Sequence, residues 1–157
     1  MDRSKINRRE LTKIVLSLPQ KKVMNLYHEL KDNYEISDID LPQSGLAPLK
    51  MIDTAFGEPY YIGEIPIATA YVLVKDQNEK QGKGAAVILD DRSLIARVVA
   101  VIDAIFFNEL SDFEVLIPFL NEGLKNLKKE ESFRKKIVNK TKVDFSLLNQ
   151  ISEDESI

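Results

Sequence analysis

Few residues of this chain have types and spacings that could do chemistry: a carboxylate pair, a glycine-flanked lysine, an acid-acid-arginine triplet, one histidine and one acid within an apolar stretch. Glu58 and Glu64 stand in GEPYYIGEIP and share a face of a regular strand. Paired carboxylates do acid-base work when a cleft shifts their pKa values apart, whereas on an open strand they simply face water. Gly82-Lys83-Gly84 offers amides and an ammonium to an anion. It lacks the GxxxxGK[ST] pattern and no helix begins directly after it, so a hairpin turn is the expected role. Arg92, with the amides of a helix start, could receive a phosphate. Its neighbours Asp90 and Asp91 oppose that and are expected to cap the helix instead. His28 is the only histidine and reads as a surface residue, so no histidine metal cluster can be built. Asp103 falls off the line of Leu94, Val98 and Ile102 and is expected to be exposed; burial would demand an arginine or backbone amides as partners. Nowhere do a nucleophile, a base and an orienting group fall together, so the expectation is no catalytic residue and no metal or cofactor bound by this chain.

The elements that must position these residues follow from length and periodicity. A chain of 157 residues, 44% hydrophobic and 30% charged, has the size and composition of one globular domain, expected over 1–150 with an acidic flexible tail at 151–157. A net charge of −3 gives no general attraction to nucleic acid or anionic lipid. The absence of cysteine excludes disulfides and thiolate sites and suits a reducing compartment, so the expected location is cytoplasmic. No apolar run approaches the roughly 20 residues of a membrane helix.

Leu11, Ile14, Val15 and Leu18 recur at helical spacing, and Pro19 opens a second helix carrying Val23, Met24, Tyr27 and Leu30. The two are expected to pair as a hairpin. After Asn33, short Tyr-, Ile- and Val-rich runs broken by Pro42, Gly45, Gly57 and Gly63 predict four or five strands. The runs 71–74 and 85–89 flank KDQNEKQ and are expected to form a hairpin turned by Gly82 and Gly84. From Asp91 the helical period returns through Phe106, and a further helix follows from Ser111 or Asp112. The expected fold is α+β: an N-terminal helical hairpin, a mainly antiparallel sheet, and C-terminal helices packed on one face.

The order of these segments resembles the PhnG family, the small subunit of the bacterial carbon-phosphorus lyase core complex. The resemblance rests on NRRELTKIVL, PQSGLAPLKM, YIGEIPIATAYVLV, DDRSLIARVVAVIDAI and KVDFSLL, in that order across residues 7–148. Its most specific pieces are Gly63-Glu64, Ile102-Asp103-Ala104 and Val143-Asp144-Phe145. The chain departs from the family at Ser44, where threonine is common, at Ala68-Thr69-Ala70, and at Leu89-Asp90-Asp91-Arg92, where the family carries Gly-Arg.

The resemblance implies an accessory role. It implies assembly with PhnI-like, PhnJ-like and PhnH-like subunits and a PhnL-like ATPase, in a system that displaces adenine from MgATP with a phosphonate. The product implied is ribose 1-phosphonate 5-triphosphate, with MgATP a substrate of the complex. Partner or ligand contacts are then expected at Gly63, Glu64, Thr69, Asp91, Arg92, Asp103, Asp144 and Phe145. Two other readings stay open: a free-standing small-molecule or nucleotide-binding enzyme built on Glu64, Asp91 and Arg92, and an interaction module unrelated to phosphonates.

Overall fold

The structure is a computed structural model that describes residues 6–141. A 3-10 turn at Arg8–Glu10 leads into α1 (Leu11–Leu16), and α2 spans Gln20–Asn33 with Pro19 at its N-cap. Three strands follow: β1 (Glu35–Ile52), β2 (Pro59–Lys75) and β3 (Gln81–Ile88). Helix α3 covers Ser93–Phe107, and α4 covers Leu116–Lys140 after a second 3-10 turn at Phe113–Val115. The sheet is antiparallel with order β1-β2-β3.

The α+β class stands, with three strands in place of the expected four or five. Of the predicted breaks, Gly57 falls in the turn between β1 and β2, whereas Pro42, Gly45 and Gly63 lie inside these two very long strands of 18 and 17 residues. Proline is tolerated where a strand has a free edge or a bulge. Pro42 falls within one register shift of edge strand β1, and Pro48 borders another. Pro66 lies in β2 beyond the end of its pairing with β3, where Ala68 meets Ile88.

The core forms where strand and helix periods meet. Ala68, Ala70, Val72 and Val74 of β2 and Ala86 and Ile88 of β3 alternate inward and pack beneath α3. Helix α3 is buried from Ile95 to Phe106 except for half-buried Arg97, because the sheet covers one side of it and the helical layer, in which α1 packs against α4, lies behind. The expected α1–α2 hairpin is replaced by α1 against α4: a Cβ on Gly123 would lie 2.4 Å from the Ile14 carbonyl oxygen, so only glycine permits that approach. The Ser17 hydroxyl then donates to the Gly123 carbonyl at 2.8 Å.

Gly82 and Gly84 do not make the hairpin turn. They lie within β3 under α3, where a Cβ on Gly84 would stand 2.0 Å from the Ala100 carbonyl oxygen. The turn is organised by Asp76, whose Oδ1 accepts from the backbone amides of Asn78 and Lys80, each at 2.9 Å. Glu79 supplies the left-handed residue, at φ 65°. The expected capping of α3 is absent as well: Arg92 is the N-cap residue, without a side-chain cap, and Asp90 instead accepts from the amide of Arg92 at 3.0 Å.

Candidate functional site

The sheet divides into a covered part and a bare one. Beyond the end of β3, β1 and β2 continue as a two-stranded arm, with Gly45 opposite Ile67, Ala47 opposite Ile65 and Ile52 opposite Pro59. At its tip Asp53 accepts from the amides of Ala55 and Phe56, and its carbonyl accepts from Gly57, which sits at φ 69°. No residue of the arm from Gln43 to Ile67 is buried. Apolar side chains stand on it in water: Phe56 is 84% exposed, Tyr61 65%, Leu46 65% and Ile62 55%. Monomeric proteins rarely expose so contiguous an apolar surface, and β2 here also carries an unpaired backbone edge, so the arm has the properties of a protein-binding element.

Gly63 and Glu64 lie on this arm, both exposed, with Glu64 opposite Pro48. Glu58, just before β2, is also exposed. Thr69 lies further in, half-buried, between Gln43 and Val87. A depression of about 270 Å³ lined by Gln43, Ser44, Gly45, Leu46, Ile67 and Thr69 marks the place where the arm leaves the body.

Asp91 and Arg92 are exposed on the junction between β3 and α3. Arg92 is engaged within the chain: its guanidinium donates to Asp90, with Nε at 2.8 Å from Oδ1, and to Gln20 Oε1 at 2.9 Å. That hydrogen bonding, foremost from Arg92, holds the Asp90 carboxyl well below the usual carboxylate range. Glu64 sits four residues out along β2 from Ala68, the partner of Ile88, which is about 13 Å of strand. The structure therefore does not assemble Glu64, Asp91 and Arg92 into one constellation. His28 is exposed on α2. Among the described residues no group of three or more His, Cys, Asp or Glu side chains is placed to hold a metal ion, and no helix is long and apolar enough to cross a membrane. Asp144 and Phe145 lie outside the described residues.

Asp103, expected to be exposed, is 3% exposed and fully partnered. Arg8 Nε and Nη2 donate to its two oxygens at 2.7 Å each, and the Ala85 amide adds a bond of 3.2 Å. Because α3 is covered on both sides, a position off one helical stripe still falls inside. Arg8 also stands 5.6 Å from the Phe107 ring centroid, and its pKa is raised chiefly by the bond to Asp103. The contact fastens the N-terminal turn to α3 and β3.

Two further polar sites escaped the sequence reading. Arg97 Nε donates to Asp38 at 2.6 Å and the guanidinium lies 5.7 Å from the Tyr27 ring, tying α3 to β1 and α2. Burial lowers the Arg97 pKa and raises that of Asp38. The signal was a charged residue within a helical run whose other members, Asp103 apart, are apolar or small. Asp76 Oδ2 accepts from the Ser111 amide at 2.9 Å and its hydroxyl at 2.7 Å, while the Tyr34 hydroxyl donates to the Ser111 carbonyl. Those bonds, led by the Ser111 amide, depress the Asp76 pKa, and burial pushes Tyr34 up to about 12. All three sites are satisfied within the chain and serve the fold.

The described residues thus form a body locked by internal polar contacts and a bare apolar arm. The family model described as phosphonate metabolism protein PhnG matches residues 6–150. The chain belongs to the PhnG family. Membership places it in phosphonate metabolism, alongside the other Phn subunits of the carbon-phosphorus lyase complex. Among curated proteins, no match to the sequence was found. The arm of this PhnG chain includes Gly63-Glu64, one of the three segments most specific to the resemblance.

Proposed function

We propose that this chain is a noncatalytic subunit of the carbon-phosphorus lyase complex that joins PhnI-like, PhnJ-like and PhnH-like partners through its β arm. In this reading the complex, with a PhnL-like ATPase, displaces adenine from MgATP with a phosphonate to give ribose 1-phosphonate 5-triphosphate. The chain binds no cofactor of its own; MgATP is a substrate of the assembly, which works in the cytoplasm. Family membership supports the pathway, and one observation carries the role: apolar side chains left in water from Leu41 to Ile62 on a ribbon with a free edge. Gly63, Glu64 and Thr69 are then contacts on or beside the arm, and Asp91 and Arg92 border its base. Asp103 leaves the set of contacts, since its carboxylate is spent on Arg8 and Ala85.

The test is co-expression with the PhnI-like protein of the same organism, followed by size-exclusion chromatography with light scattering and an adenine-release assay with MgATP and methylphosphonate. Co-elution, with activity that needs both chains, is the expected result. A folded chain that associates with no Phn subunit would sink the proposal.

A further inference from the structure

Helix α4 outruns the body. Leu116, Leu120, Gly123 and Leu127 succeed one another at alternating steps of four and three residues, the spacing of a helix-packing seam, and all but half-buried Leu127 are buried. The same alternation runs on through Glu130, Arg134 and Ile137. There the seam is bare: every residue from Lys128 to Lys140 is exposed, with Phe133 at 65% and Ile137 at 46%. A helical end of about ten residues without tertiary contacts is marginal in water, and a second helix laid on the seam would steady it.

Charge says which helix fits. Where the seam leaves the body, Lys13 and Leu16 of α1 and Leu127, Glu130, Glu131 and Arg134 of α4 line a groove of about 330 Å³. Leu16 and Leu127 are its apolar part, and among the described residues neither Glu130 nor Glu131 has an ion pair. The matching occupant is a helix both apolar and basic. The end of α4 has that character, with Phe133, Ile137 and Val138 among Arg134, Lys135 and Lys136. It cannot enter its own groove, because α4 is one continuous helix in which Leu127 and Ile137 stand about 15 Å apart along the axis. The same helix of a second copy can. Antiparallel pairing about a two-fold axis beside Ser132 sets Leu127 level with Ile137 of the second copy and Glu130 level with its Arg134, and the symmetry makes each pair twice. Parallel pairing would instead set Glu130 on Glu130 and Arg134 on Arg134, so the charges select the antiparallel arrangement.

We infer that the projecting end of α4 is a self-association element: it pairs antiparallel with that of a second copy, Ile137 of each against the α1–α4 groove of the other and Glu130 bonded to Arg134 across the axis. The inference does not depend on the partner-binding role, and its test uses the isolated full chain. Light scattering over a concentration series is expected to show the mass rise from one chain to two. Three helical turns make less than a standard interface, so half-dissociation is expected in roughly the micromolar range. Glu130→Arg and Arg134→Glu should each weaken the dimer about ten-fold or more, and the two together should restore it, a recovery that damage to the fold would not give. Ile137→Ser with Val138→Ser should abolish it. A chain that stays monomeric up to about 1 mM overturns the inference. So does a dimer indifferent to both charge changes, or one lost in Tyr61→Ser with Ile62→Ser, which assigns association to the arm.

Discussion

Arg8 grips both oxygens of Asp103 across 95 residues of sequence, and the two ends of that grip differ in exposure: the arginine side chain is 58% exposed and the carboxylate side chain 4%. The asymmetry decides what each substitution does. Arg8→Ala strands a buried carboxylate on the Ala85 amide alone and costs about 2–3 kcal/mol. Asp103→Ala frees Arg8 to water but leaves the Ala85 amide unpaired, at a cost of about 1–3 kcal/mol. Urea midpoints at unchanged slope measure both, and the double variant should be less destabilised than the sum.

Glycine positions separate body from arm. Gly84→Ala drives a methyl into the Ala100 carbonyl and the Ala104 amide and is expected to cost about 3 kcal/mol or more, or to prevent folding. Gly45→Ala meets nothing within 4 Å and should leave the thermal midpoint within the scatter of surface changes, about 0.5 kcal/mol.

Stability should fall at both ends of the pH scale for reasons lodged around Ser111. Asp76 has a depressed folded-state pKa, so its contribution is complete above the unfolded value and is lost as pH falls through the folded one. Tyr34 is raised to about 12, so the unfolded chain ionises first, and stability declines as pH rises from about 10 towards that value. Denaturant midpoints against pH test this: Asp76→Asn should flatten the acid limb and Tyr34→Phe the alkaline one.

On the arm, Tyr61→Ser with Ile62→Ser removes exposed apolar surface and no core contact. The pair should leave the melting temperature unchanged and reduce capture of the PhnI-like protein at least ten-fold, read by surface plasmon resonance. Undiminished capture would move the interface elsewhere on the molecule.

Much of the body was legible because period and burial coincide there. The alternation of Ala68, Ala70, Val72 and Val74 and the α3 run through Phe106 are patterns that only packing imposes. The number of strands was not legible: Pro42, Pro48 and Gly63 break an interior strand, and nothing local says that the strand they occupy has a free edge. The burial of Asp103 was hidden for a related reason, since helical periodicity assumes one covered face and α3 has two. Gly82 and Gly84 looked like turn residues, but their reason is a helix that crosses them at backbone distance. Of the residues expected at a contact, Gly63 and Glu64 lie on the bare arm, and Asp103 is paired with Arg8 and the Ala85 amide.

The unpaired backbone of the arm has a consequence for the cell that makes it. A free strand edge beside Tyr60, Tyr61 and Ile62 templates any other exposed strand, including that of an identical chain, so a surplus of this protein is prone to cross-β aggregation. Supply matched to the partners, by linked expression or by capture as the chain leaves the ribosome, would then be part of what keeps the protein usable.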